Sequence, residues 1–451
     1  MKRLLLFCWA CCCQAQQPLS LTQAVEQALK NYPSIQVSQE QIKAAAAGID
    51  LARTAYLPRI DALAQANRAT RNNVFGMLMP QSVIPSMSGP VIGSDNLGTV
   101  WGSAIGTFVS WEPFDFGLRR AGMAAADAAR AQSEATLKRT EYEVAVATAD
   151  GCLTLIAAQE TVKAAQAGVD RAQTIVRTIT ALVNAELRPG ADKSRVEAEL
   201  AAARTQLIQA QQAVEVSRAT LAQFLGGEPA QAAVTVPGLE KLPPAQPPAP
   251  FDASANPVAV EQGAVVRQAE AQLHALERSY FPRFYLQGAA YSRGSGAELN
   301  GARMGGFNGL APNYQNYGLG FSVTFPLFDF AALQAREKVQ AATIRAQEAR
   351  LRQVAVELKA QWNRAAANLE GARRVAENTP VQVAAARAAT GQATARYQSG
   401  LGNIDAVAEA QRLLTQAEID DALARLGVWR GLLGVAAAAG DIRPFLAEAG
   451  R

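Results

Sequence analysis

Three carboxylates, Asp192, Asp405 and Glu409, stand at or just past predicted reversals between long helical stretches. A carboxylate at a helix start satisfies free N–H groups and opposes the helix dipole. Presented inward by several copies of a chain, the same carboxylate becomes a ring that favours and binds cations. For Asp192 both readings stand. Arg188, Lys193 and Arg195 lie close by and offer ion pairs or hydrogen bonds that would latch neighbouring turns. The rest of the inventory is poor in chemistry. His274 is the only histidine, so neither a histidine-based triad nor a multi-histidine metal site can be built. Cys152 sits in a heptad-patterned stretch and reads equally as a buried small apolar residue. Gly294-Ser295-Gly296 and Gly305-Gly306 do not join a strand to a phosphate-binding helix, and read as a loop. Neither a catalytic centre nor a cofactor is expected.

The elements that must position those carboxylates occur twice. Asn31-Tyr32-Pro33 is echoed by Asn256-Pro257, and Tyr56-Leu57-Pro58-Arg59 by Tyr280-Phe281-Pro282-Arg283, with both proline pairs 224 residues apart. Phe114-Asp115-Phe116 returns 214 residues later as Phe328-Asp329-Phe330, and Asp192 returns as Asp405 after 213. The drop from 224 to 214 predicts a longer surface loop between Pro58 and Phe114 than between the second copies. Between the copies, Pro237 to Pro250 includes Pro243-Pro244 and Pro247-Pro248, an extended connector.

Within each copy the pattern predicts helix, two strands, a very long helix, a tight turn and another helix. Leu155, Val162, Val169, Val176 and Val183 recur every seven residues, with Ala158, Ala165, Ala172 and Ile179 three places on. That is a coiled-coil seam, and it restarts after Pro189-Gly190 through Leu200, Leu207, Val214 and Leu221. Gly117 to Leu187 holds no proline, so at ~1.5 Å per residue it predicts a rod of roughly 105 Å. Two shorter helices, about Ser20 to Tyr56 and Asp192 to Leu225, match its length if stacked end to end. A comparable rod is expected from Ala331 to Gln398, broken only at Pro380.

The strands have two unlike faces. Tyr317, Leu319, Phe321, Val323 and Phe325 alternate with Gly318, Gly320, Ser322 and Thr324, and Trp101, Ile105, Val109 and Trp111 repeat the pattern more weakly. An apolar face ending in aromatic residues, opposite a small polar face, fits a barrel strand with lipid outside and water inside. Four strands are too few to close a barrel around water, so the barrel must be shared among chains.

The 451 residues carry 43 basic and 39 acidic side chains, and that near balance gives no footprint for nucleic acid. Lys2 and Arg3, the apolar run Leu4 to Ala10 and the small Ala15 read as a secretory signal over 1–15. Cys11 is an alternative lipidation point. Four of the five cysteines lie in this stretch, so no disulfide framework is expected. Beyond it no run of ~18 apolar residues predicts a transmembrane helix.

The duplicated order of these motifs resembles the TolC-like outer-membrane efflux protein family. The resemblance rests on the paired Asn-(x)-Pro and Leu/Phe-Pro-Arg motifs, Trp111-Glu112-Pro113-Phe114-Asp115-Phe116-Gly117 and Phe325-Pro326-Leu327-Phe328-Asp329-Phe330. Tyr397-Gln398-Ser399-Gly400-Leu401 before Asp405 and the helix ends Leu225-Gly226 and Leu433-Gly434 extend it over about residues 18 to 440. It implies a mainly α fold with a small transmembrane β part. The duplicated helix–β-hairpin–long-helix–helix repeat would form, as a homotrimer, a 12-stranded β-barrel in the outer membrane and a periplasmic α-helical coiled-coil tunnel.

On that reading 16–236 is the first repeat, with strands about 59–73 and 99–111 and the coiled-coil hairpin 117–225. The connector is 237–255, and the second repeat is 256–440, with strands about 283–293 and 316–326 and the hairpin 331–436. A C-terminal tail, 441–451, follows. The partners implied are two further copies, outer-membrane lipid, a periplasmic adaptor and an inner-membrane pump, for which the chain is a passive exit duct. Asp192, Asp405 and Glu409 become the gate or constriction, and Glu186, Leu187, Arg188, Pro189, Gly190, Gly400, Leu401 and Gly402 the turns that meet the adaptor. Two departures stand out. Glu186 replaces the family's usual glycine, so that Pro189-Gly190 is expected to make the reversal, and the second turn is one residue short before Asp405. The outer channel of a type I protein-secretion system and a periplasmic coiled-coil scaffold without a barrel remain alternative readings.

Overall fold

The computed structural model describes residues 19–70, 98–228, 234, 241–244, 251–298, 302–325 and 329–450. The signal 1–15 with Cys11, most of the connector and the Pro326-Leu327-Phe328 corner lie outside the described residues. In chain order the elements are α1 (Leu21–Asn31), α2 (Pro33–Thr54), β1 (Arg59–Thr70), β2 (Thr99–Phe114), α3 (Leu118–Asn184), α4 (Gly190–Leu225), α5 (Pro257–Arg278), β3 (Arg283–Ser295), β4 (Tyr314–Thr324), α6 (Phe330–Gln398), α7 (Ile404–Ala439) and α8 (Arg443–Ala449). The duplicated grammar expected from the motifs is present, including two helices of 67 and 69 residues.

Three elements depart from expectation. The helix expected over Ser20 to Tyr56 is two helices, because Tyr32 is extended and Pro33 opens a new one. A residue before proline is pushed out of the α region by the proline ring. Pro380, by contrast, does not break α6. It costs one backbone hydrogen bond, but Ala376 and Ala386 are buried on either side and Thr379 Oγ1 donates to Asp421 at 2.8 Å. The expected tail forms α8, whose Phe445 and Ala449 enter the core. α7 is long and apolar enough to cross a bilayer by composition, but Leu426, Trp429 and Leu433 are buried against α3 residues such as Leu153 and Leu155, as in a core helix.

The chain divides into two compact units. One comprises Met1–Gln39, Ala135–Glu261 and Leu351–Arg451, and its described elements are helices. Here the duplicated asparagines have one physical job. Asn31 Nδ2 donates to the carbonyl of Leu225 at 3.1 Å, and Asn256 Nδ2 to that of Ala438 at 3.2 Å. Each thus satisfies an orphan carbonyl where a helix ends at a left-handed glycine, Gly226 or Gly440. A Cβ on Gly226 would lie 3.3 Å from the Asn31 side chain, and one on Gly440 2.8 Å from the Asn256 backbone.

The other unit, Glu40–Glu134 and Gln262–Arg350, contains one antiparallel sheet in the order β1-β2-β3-β4. Its register aligns Ile60, Val109, Gly288 and Leu319 across one face. That face exposes Ile60, Ile105, Leu286, Leu319 and Phe321, with Tyr317 85% exposed, while the opposite face buries Ala104, Gln287, Ala289 and Tyr291. The apolar alternation therefore faces outward, the inverse of a soluble sheet.

Where β2 hands over to α3, Asp115 accepts from the backbone N–H groups of Gly117 and Arg119 and from Arg119 Nε at 2.8 Å. Arg119 also donates to the Ala55 carbonyl and lies over the Tyr56 ring. Burial by itself would raise the Asp115 carboxyl, but these bonds from Arg119 and Gly117 outweigh it and hold it below its ordinary value. Both charged side chains are about nine-tenths buried. Removing one partner of a buried pair strands the other, at a cost of about 3–5 kcal/mol. Asp115→Ala should therefore sharply lower the thermal unfolding midpoint of the folded protein; an unchanged midpoint would contradict this account of the motif.

Candidate functional site

The two helix–turn–helix tips are built alike. At the end of α3 the Leu187 N–H bonds the Leu182 carbonyl, and at the end of α6 the Leu401 N–H bonds the Arg396 carbonyl, both at 2.9 Å. In each case the residue before leucine is left-handed, Glu186 with φ 59° and Gly400 with φ 78°. These are Schellman stops, which favour glycine. The expectation that Pro189-Gly190 makes the first reversal is thus corrected: Glu186 makes it. Pro189 is the N-cap of α4 and Gly190 its first residue, without positive φ. Gly402 lies where the chain returns closely on itself, 3.3 Å from Arg396 and Tyr397 atoms if it carried a Cβ. Leu187 and Leu401 both project at the turns, 68% and 74% exposed.

Behind the turns, Ile179, Val196, Tyr397, Ile404 and Val407 form a small apolar cluster that joins all four helices. On it sits a polar latch. Tyr397 Oη donates to Asp192 Oδ2 at 2.7 Å, and Arg188 Nη2 donates to the Tyr397 carbonyl at 2.6 Å with its guanidinium 4.4 Å from the ring centroid. Arg195 Nε lies 3.1 Å from Asp405 Oδ1, tying α4 to α7. Burial, then the hydrogen bond and charge of Asp192, push the Tyr397 phenol up to about 12.

Asp192 and Asp405 are therefore brought into one tip through Tyr397 and Arg195. Glu409 lies one turn beyond Asp405 on α7 and pairs with Arg412 on its own helix. Lys193 reaches only Glu197, 3.9 Å away on its own helix. N-capping is not the role of Asp192, since Pro189 occupies that position without a side-chain bond. Asp192 sits in the first turn of α4, where its charge still favours the helix dipole. The α7 cap is Asn403, which accepts from the Ala406 N–H. Sequence reasoning placed Tyr397 in the turn but missed it as the latch donor. Cys152 is fully buried, its thiol pushed up to about 12 by burial alone, and His274 is exposed beside Glu277. Neither touches the tips.

The model of the family described as outer membrane efflux protein matches residues 24–227 and 255–441, the two repeats on either side of the connector. The chain belongs to the outer membrane efflux protein family. Its members are outer-membrane channels, not enzymes. Among solved structures, the chain is 22% identical to the outer-membrane channel OprN, with a TM-score of 0.71 over 93% of this chain and 89% of that one. The CmeC outer membrane channel of Campylobacter jejuni gives 15% identity and a TM-score of 0.72 over 93% and 85%. The MtrE outer membrane channel of Neisseria gonorrhoeae, solved in an open state, gives 19% and 0.68 over 93% and 89%. A comparison with curated proteins finds no match.

Two outcomes follow for the tips. A non-glycine residue in the left-handed region costs about 1–2 kcal/mol, against roughly 0.5–1 kcal/mol for the freedom glycine loses on folding. Glu186→Gly should accordingly raise the thermal midpoint slightly, and a clear fall would contradict the strain assigned to that turn. The Tyr397 phenol has a folded value above its ordinary 10.0. Its contribution is complete below about pH 10 and is lost as pH rises through about 12. The hold of Tyr397 on Asp192, followed by the tyrosinate absorbance, should weaken within that window, and Tyr397→Phe should remove this titration.

Proposed function

We propose that the chain is one third of a passive exit duct of a tripartite efflux system, gated at its helical tips. The observation that carries the reading is the sheet: four strands with an outward apolar face and two outer edges, on β1 and β4, that lack a second partner among the described residues. In a bilayer an open sheet edge is not tolerated. Three copies closing edge to edge make a 12-stranded barrel wide enough for a water-filled lumen. An inner-membrane pump would supply substrate, a periplasmic adaptor would meet the exposed Leu187 and Leu401 turns, and the duct itself would consume no energy.

The gate follows from the latch. Tyr397–Asp192, Arg188–Tyr397 and Arg195–Asp405 hold the α6–α7 tip on the α3–α4 tip, and releasing them would let the tips splay. MtrE has been caught in an open state, so a relative of this fold has at least one open form. Asp192 is engaged as an acceptor from Tyr397, whereas Asp405, paired with Arg195, and Glu409, paired with Arg412, both remain exposed on one face of α7 and become candidates for an inward cation-binding ring once the tips part.

Hydrogen bonds to a charged partner contribute about 1.5–3 kcal/mol, and 1.4 kcal/mol is tenfold in an equilibrium. Combining Tyr397→Phe with Arg195→Ala should thus raise open-state occupancy in planar bilayers by about tenfold or more. Pores that conduct no better than wild type would count against tip gating. Neutralising Asp405 and Glu409 together should reduce cation selectivity and blockade by multivalent cations; if both persist, the ring is elsewhere.

A further inference from the structure

Between the tip latch and the main core, the contacts of α7 change character. From Leu426 to Leu433 it is embedded in the core with α3, and Arg430 pairs with Asp150 at 3.0 Å. At Ile404 and Val407 it is held by the tip cluster. Between these, α3, α4 and α7 part around a cavity of about 610 Å³ lined by Gly168, Ala172, Val196, Ala203 and Ala408, among others. The cavity is bounded on the core side by a polar tie. Arg171 Nη2 reaches both Thr415 Oγ1 and Glu418 Oε2 at 2.9 Å, and Arg387 of α6 approaches Glu418 Oε1 at 3.7 Å. At the same level α3 and α7 are tightly apposed: a Cβ on Gly168 would lie 3.0 Å from the Thr415 side chain. Thr390 Oγ1 donates to the Ala410 carbonyl, so α6 and α7 are bonded to each other on the tip side of this point.

We propose that the Arg171–Thr415–Glu418 tie, at the Gly168 contact, is the fulcrum about which the α6–α7 tip swings when the latch opens. This rests on the tip-gated reading above and adds where the motion stops. A carboxylate shared by two long arginine side chains keeps its bonds through a modest rotation, whereas interdigitated apolar packing such as that at Leu426–Leu433 does not deform continuously. Across the cavity α7 forgoes side-chain contacts with α3 and α4, so swinging away from them costs less there than in the packed core. Ile404 lies fourteen residues from Glu418, a lever of ~21 Å at ~1.5 Å per residue, so a tilt of ~15° carries the tip by ~5 Å.

The geometry supplies its own test. A Cβ at Gly168 would stand 3.6 Å from that of Thr415, within the ~3.5–4.5 Å of disulfides. Gly168→Cys/Thr415→Cys is placed in the full-length trimer carrying Tyr397→Phe and Arg195→Ala, and current is recorded oxidised and reduced. Current that is high and unchanged by oxidation is expected. High current that collapses on oxidation would overturn the fulcrum while leaving tip gating intact. No gain over wild type in the latch-released parent would instead defeat tip gating and the fulcrum with it. If the cysteine pair does not assemble, spin labels at Leu401→Cys and at Leu423→Cys decide the matter, since both side chains are exposed and the native Cys152 is buried. Releasing the latch should lengthen the distance between copies at position 401 and leave it unchanged at 423. Equal lengthening at both positions would overturn the pivot.

Discussion

A bilayer offers no water to a backbone N–H or C=O, so every strand edge within it must find another strand. Most features of this chain follow from that one requirement. Its sheet has four strands, an apolar outer face and two edges to close, and two of its helices are far longer than a compact domain needs. Closure by identical copies makes the neighbouring chain part of each sheet.

The duplication shapes how this is achieved. Both repeats stop their long helix with a left-handed residue and an exposed leucine, and both cap a returning helix with an asparagine set against a left-handed glycine. The copies have diverged where function is expected. The first turn carries Glu186 in a strained conformation where the second has Gly400, and the second is one residue shorter before Asp405. The result is an asymmetric tip in which Tyr397 of one repeat donates to Asp192 of the other.

Much of the fold was legible because it repeats periodic signals. The heptads of α3, the alternation of β4 and the twin proline motifs each mark an element by spacing alone. The break at Tyr32 and the continuity through Pro380 were read the wrong way round. Proline at a helix start and proline within a helix look alike in sequence, and only flanking packing separates them. Of the site, the acidic residues were legible as charges near turns, but not their partners. That Asp192 meets Tyr397 depends on how α4 and α6 pack across about two hundred residues of chain, and no local pattern encodes it. Likewise Glu186 hid its left-handed conformation, because that region favours glycine and a glutamate gives no sign of it. The Arg171–Glu418 tie was invisible for the same reason: each residue, taken alone, is an ordinary charge on a helix face.

Completion of the sheet by two other copies of the chain underlies both the barrel and the gate proposed here. Native mass spectrometry of protein released from outer membranes in mild detergent measures this directly. A dominant species of three times the mature chain mass, dissociating only as the sheet unfolds, is expected. A folded, stable monomer with its four strands intact would contradict it.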